Sequence, residues 1–127
     1  MSLYKKYSDL GAPEKDDPTL GNTTDIPRVQ SIQHKQGLIS HNRVVVIDIY
    51  ADWCGPCKHV APLFVKLAKK YSNECIFVKE DADDQFTPDC TGVPMFQIYM
   101  GGKIKDTIMG ADLKKVEQSI VDAINGG

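Results

Sequence analysis

The chain changes its hydrophobic period several times between residues 26 and 127. Arg28–Ile32 reads as a short first strand, and Gln33–His41 as a brief helix with Leu38 and Ile39 turned inward. Val44–Tyr50 is an almost unbroken β-branched run, which predicts a strand buried on both faces. Over Pro56–Ser72 the period lengthens: Val60, Phe64, Leu67, Ala68 and Tyr71 recur at spacings of three and four, with Lys58, Lys66, Lys69 and Lys70 among them. That pattern predicts an amphipathic helix, kinked at Pro62. Cys75–Val78 reads as a strand that ends in the acidic run Glu80, Asp81, Asp83 and Asp84. Met95–Met100, Gly101-Gly102 and Lys103–Ile108 form the pattern of a hairpin with a Gly-Gly turn. Asp112–Ile124 is amphipathic through Leu113, Val116, Ile120, Val121 and Ile124, with Asp112 as its N-cap. The order β-α-β-α-β-(short)-β-β-α predicts an α/β domain with a mixed sheet between helices.

Residues 1–25 lack this order. Gly11-Ala12-Pro13 and Asp16-Asp17-Pro18 punctuate a polar extension whose few apolar residues bury little. Tyr4, Tyr7 and Leu10 form one short helical face at most, and a flexible tail is the simpler expectation. The expected division is therefore 1–25 as extension and 26–127 as one folded domain.

A 42% hydrophobic content suffices for one packed core, which sets aside wholesale disorder. With a formal charge of −2 and interspersed signs, the chain lacks the basic footprint of a nucleic-acid or anionic-membrane binder. The longest apolar run, Val44 to Ala51, is broken by Asp48 and too short to span a bilayer. Lys5 and Lys6 are followed by no apolar stretch, so a secretory leader is not expected. A reducing, cytoplasmic setting is therefore expected, in which four cysteines are expected to serve catalysis or metal binding rather than a disulfide framework.

The chemistry concentrates in Trp53-Cys54-Gly55-Pro56-Cys57-Lys58, between a buried strand and a helix. Two cysteines so spaced at a helix start can close a disulfide within one turn. The first sulfur then lies at the helix N-terminus, where free N–H groups and the dipole favour a thiolate, the nucleophile of disulfide exchange. The second, one turn further in, is expected to be more shielded and able to attack a mixed disulfide. Half a zinc site is the alternative. It needs two more ligands, and Cys75 and Cys90 stand alone rather than as a second pair. Asp48 sits among apolar neighbours, where desolvation would raise its pKa and suit proton exchange with a thiol.

The run Val46-Ile47-Asp48-Ile49-Tyr50-Ala51-Asp52-Trp53-Cys54-Gly55-Pro56-Cys57-Lys58 resembles the active-site strand and loop of thioredoxins. Pro62 matches their helix-kinking proline, Gly92-Val93-Pro94 their cis-proline loop, and Gly110-Ala111 the glycine after their last strand. The resemblance runs from about Val29 to Ile124. It implies a thioredoxin-like fold and reduction of protein disulfides, with Cys54 attacking and Cys57 resolving. Asp48 would then be the buried acid behind Cys57, and Lys79 the lysine that tunes its pKa. Trp53, which would shield the disulfide, joins Gly55, Pro56, Val93, Pro94 and Gly110 in an apolar docking surface. No bound cofactor or metal is implied beyond the redox-active Cys54–Cys57 disulfide. Electrons would come from NADPH through a separate flavoprotein reductase. Oxidase or isomerase activity, or a scaffold role for the same fold, are the alternatives; Gly55-Pro56 is the dipeptide of reducing members.

Two departures stand out. Only the ten residues Asp84 to Val93 separate Asp83 from Pro94, where the family fits a full helix, and Pro88 limits Gln85–Asp89 to a single turn. Glu80 occupies a strand position that is ordinarily apolar, so it must reach a partner, or solvent through a route that the missing helix would open. Cys75 reads as a small buried hydrophobe, and Cys90 as a packing residue near the active-site loop or a third redox thiol.

Overall fold

Ser31 decides where the first regular element begins. Its hydroxyl accepts the His34 N–H at 3.0 Å, capping helix α1, Ile32–His41. The strand expected over Arg28–Ile32 is thereby cut short. In its place, one parallel bridge joins Arg28 to Lys79, with Val29 N–H donating to Lys79 O at 2.8 Å and Lys79 N–H to Pro27 O at 2.9 Å. The computed structural model describes residues 26–126, so the polar extension, including Tyr4, Tyr7 and Leu10, lies outside the described residues.

After α1 come β1 (Val44–Tyr50), α2 (Gly55–Tyr71), β2 (Ile76–Asp81), a 3₁₀ turn (Ala82–Asp84), β3 (Met95–Met100), β4 (Lys103–Met109) and α3 (Leu113–Ile124). The sheet runs β2-β1-β3-β4, with β1 and β2 parallel and the other neighbours antiparallel. Fold class and the α2 and α3 patterns agree with the sequence. Strand β2 does not end at Val78: parallel pairing with β1 continues through Tyr50 to Asp81, drawing Glu80 and Asp81 into the sheet. Gly101 and Gly102 turn the β3–β4 hairpin with φ of 61° and 85°, the left-handed pair that a two-residue turn requires.

Side chains alternate across the sheet, which assigns its two faces. Val46, Asp48, Tyr50, Phe77, Lys79 and Phe96 point to one side, where Phe64 of α2 meets Phe77 and Phe96 with ring centroids 5.6 and 5.8 Å apart. Helix α3 joins α2 on this side, since Glu117 accepts from both Lys70 and Tyr71 at 2.6 Å. Ile47, Ile49, Val78, Glu80 and Gln97 point to the other side, which α1 and the segment after β2 cover. That segment contains a 3₁₀ turn and one further turn, closed by Cys90 N–H to Thr87 O at 3.0 Å, but no full helix, as the residue count implied.

Glu80 was expected to need a partner or a route to solvent. It has the partner: fully buried, it lies 2.8 Å from the Lys35 ammonium. The missing helix opens no solvent route to it. Phe64 fills the centre of the opposite layer at 1% exposure. Phe64→Ala should therefore destabilise the fold by about 3–5 kcal/mol, read as a lowered urea midpoint with an unchanged m-value.

Candidate active site

Strand β1 delivers the chain to the start of α2, and Cys54 is the residue at the joint. Its backbone is extended, its sulfur caps the helix, and Cys57 N–H donates to Cys54 Sγ at 3.1 Å. Pro56 sits in the first helical turn, where its missing N–H costs nothing. Cys54 and Cys57 are joined as a disulfide, with Cα atoms 5.3 Å apart. The capped sulfur faces the positive end of a 17-residue helix, the setting that lowers a thiol pKa once the bond is reduced.

Cys57 was expected to be the more shielded of the two. Both are instead buried to the same 4%. Val93 and Tyr50 pack with Ala51 around the pair, and the Val93 carbonyl oxygen lies 3.7 Å from Cys54 Sγ. What separates the cysteines is their neighbours. Cys54 belongs to the helix cap and the Val93 loop, whereas Cys57 lines a cavity of about 470 Å³ with Asp48, Tyr50, Lys58, Pro62 and Lys79. Pro62, which also lines this cavity, lies inside α2 and cannot donate to the Lys58 carbonyl one turn back.

Asp48 is 5% exposed, and its Oδ1 has no hydrogen-bond partner among the described residues. Burial pushes its carboxyl from 3.8 up to about 7, and the Lys79 charge pulls it partly back. Lys79 pairs with Asp48 in register across β1 and β2, and its ammonium stands 5.6 Å from the Tyr50 ring centroid. Tyr50 was not singled out from sequence. Its place two residues after Asp48, on the same face of the strand, was the available signal.

The Val93–Pro94 peptide is cis, and Gly110 N–H donates to Pro94 O at 2.9 Å. Gly110 has φ of 87°, a conformation that a side chain would strain. Trp53 is 72% exposed, Gly55 and Pro56 are exposed, and Val93 and Gly110 are half-buried. Pro94 itself is buried, so it offers backbone rather than ring surface. Met109, 49% exposed and packed near Gly92, extends this apolar rim; it ends β4 one residue past the strand expected from sequence, where a single methionine carried no signal. Cys75 is buried, with its thiol pushed up to about 12 by burial, as a packing residue would be. Cys90 is half-buried and donates its S–H to Gly92 O at 3.2 Å.

The Thioredoxin family model matches residues 26–125. The chain belongs to the thioredoxin family. It is 37% identical over 87 residues to Thioredoxin 1 of Plasmodium falciparum (isolate 3D7), spanning 65% of this chain and 83% of that protein. Against the thioredoxin of Mus musculus it is 40% identical over 85 residues, 64% of this chain and 80% of the relative. The fold superposes on oxidised mitochondrial thioredoxin 3 from Saccharomyces cerevisiae with a TM-score of 0.74 at 35% identity, covering 79% of this chain and 97% of that one. With the Cys54–Cys57 pair in place, the family membership makes the protein a thiol–disulfide oxidoreductase, a protein-disulfide reductase by class.

The raised Asp48 pKa has a stability consequence. An acid held above its unfolded value binds its proton more tightly in the native state. Its cost is absent below about pH 4, grows as pH rises towards about 7, and levels off above that. Asp48→Asn should gain up to roughly 4 kcal/mol over the native protein above pH 7 and little at pH 4. Urea midpoints at pH 4 and pH 8 measure this, and equal gains at both would show that Asp48 does not titrate in that window.

Proposed function

We propose that Cys54 is the attacking thiol and Cys57 the resolving one in reduction of protein disulfides. The observation that carries this assignment is the capped sulfur: Cys54 Sγ, not Cys57 Sγ, accepts a helix N-terminal N–H at 3.1 Å. The Cys54 thiolate attacks one sulfur of the substrate disulfide, forms a mixed disulfide and releases the first substrate thiolate. Asp48, across the shared cavity, takes the proton from Cys57. The Cys57 thiolate then attacks Cys54 Sγ and releases the second substrate thiolate, which picks up a proton. Two electrons have passed to the substrate, and the Cys54–Cys57 disulfide is re-formed. Lys79 tunes Asp48 by limiting how far its pKa rises.

The substrate docks along Trp53, Gly55, Pro56, Val93, Pro94 and Gly110, with Met109 extending the rim. The exposed Trp53 and the half-buried Val93 beside the cis peptide at Pro94 suit an extended peptide that adds one strand. No metal enters the cycle. The disulfide returns to the dithiol with electrons from NADPH, delivered by a separate flavoprotein reductase. Two cysteines left unpaired, Cys75 and Cys90, suit a reducing compartment such as the cytoplasm and a part in cell redox homeostasis.

Cys54→Ser should abolish insulin reduction, whereas Cys57→Ser should accumulate a stable mixed disulfide visible by mass spectrometry. Equal trapping by both variants would reverse or remove the assignment. The short segment before Pro94 leaves less rim for a reductase to grip. Turnover should therefore be near that of an ordinary thioredoxin with dithiothreitol as donor, but several-fold weaker with a generic thioredoxin reductase. Equal turnover with both donors would show that this rim is not used in docking.

A further inference from the structure

The face of the sheet away from the disulfide holds a polar cluster that the exchange chemistry does not use. Lys35 of α1 is 7% exposed, and its ammonium has three partners: Glu80 Oε1 at 2.8 Å, Thr87 Oγ1 at 2.8 Å and Gln97 Oε1 at 3.0 Å. Thr87 also donates to Glu80 Oε2 at 2.7 Å. Its hydroxyl thus accepts from the ammonium and donates to the carboxylate, and valine could do neither. Glu80 and Gln97 belong to β2 and β3, while Thr87 belongs to the short segment that replaces a helix. Buried ionic groups add little net stability over apolar packing, but their directed bonds fix geometry.

The geometry is continuous from this cluster to the disulfide. Thr87 O accepts the Cys90 N–H at 3.0 Å, and Cys90 Sγ donates to Gly92 O at 3.2 Å. The next residue, Val93, packs against Cys54 and Cys57. From these contacts we infer that the buried Lys35 and Glu80, with the half-buried Thr87, form a clamp that positions the Val93–Pro94 loop for substrate docking, in place of the absent helix. They are positioning residues: none touches the reacting sulfurs. The inference deepens the docking reading above and rests on it.

The test uses the full chain in its oxidised form, where Cys90 is the free thiol on the loop and Cys75 is buried. Thr87→Val should speed alkylation of Cys90 by iodoacetamide several-fold, and Thr87→Ser, which keeps both hydrogen bonds, should restore the native rate. In steady state with dithiothreitol, Thr87→Val should raise KM for insulin about fivefold, the equivalent of one net hydrogen bond. Its kcat should hold, as should its rate with a small aromatic disulfide that needs no strand docking. The double variant Lys35→Met with Glu80→Met leaves no buried charge unpaired, so it should fold and behave like Thr87→Val. Unchanged Cys90 alkylation in Thr87→Val and in the double variant would overturn the clamp. So would faster alkylation with an unchanged KM, because the held loop would then not serve docking. If the native protein reduced the small disulfide but not insulin, the docking reading would fail, and Cys90 alkylation would still judge the clamp separately.

Discussion

Burial of β1 on both faces is the constraint from which the rest of this structure follows. A strand with no wet side forces any charge carried near it to be handled inside the protein. The sheet brings two carboxylates inward, Asp48 on the α2 face and Glu80 on the α1 face, and treats them in opposite ways. Burial, only partly offset by the Lys79 charge, raises the Asp48 carboxyl to about 7, where it can exchange a proton near neutrality. Glu80 is met by an ammonium and a hydroxyl within 2.8 Å. One environment suits the proposed acid–base group, the other an anchor, and the chemistry of the side chains is nearly the same.

Much of this was legible in the residues. The β-branched run, the three-and-four spacing of α2 and the Gly-Gly turn each obey a local rule, and the structure follows them. The cysteine pair was legible for the same reason: a cap, a helix and a three-residue separation are local geometry. What escaped is non-local. The first strand failed because Ser31 found a better use as a helix cap. Strand β2 ran past Val78 because pairing with β1 outweighed the low strand preference of Glu80 and Asp81.

Lys35 is the clearest case. It lies three residues before Leu38, on the buried face of α1, yet a lysine in a short helix reads as solvent-facing. Only the unmatched charge at Glu80 signalled that such a residue must exist. The need for a partner could be read from the sequence, but its identity required knowing which helix crosses β2 and β3. The equal burial of Cys54 and Cys57 escaped in the same way, because Val93 comes from a loop 39 residues away to cover Cys54.

The two faces also divide the labour. In the proposed cycle, thiolate stabilisation and proton transfer fall to the α2 cap, Asp48 and Lys79, all on one side of the sheet or at its edge. The segment that reaches Val93 is anchored from the other side, through Lys35, Glu80 and Gln97. The layer of β1 lies between them, so a change in the anchor alters how the docking loop is held without touching the groups that set sulfur reactivity. A full helix can therefore be absent from this chain while the exchange site keeps its geometry. In the proposed cycle, the loss falls on the segment that leads to the Val93–Pro94 loop and not on the α2 cap or Asp48.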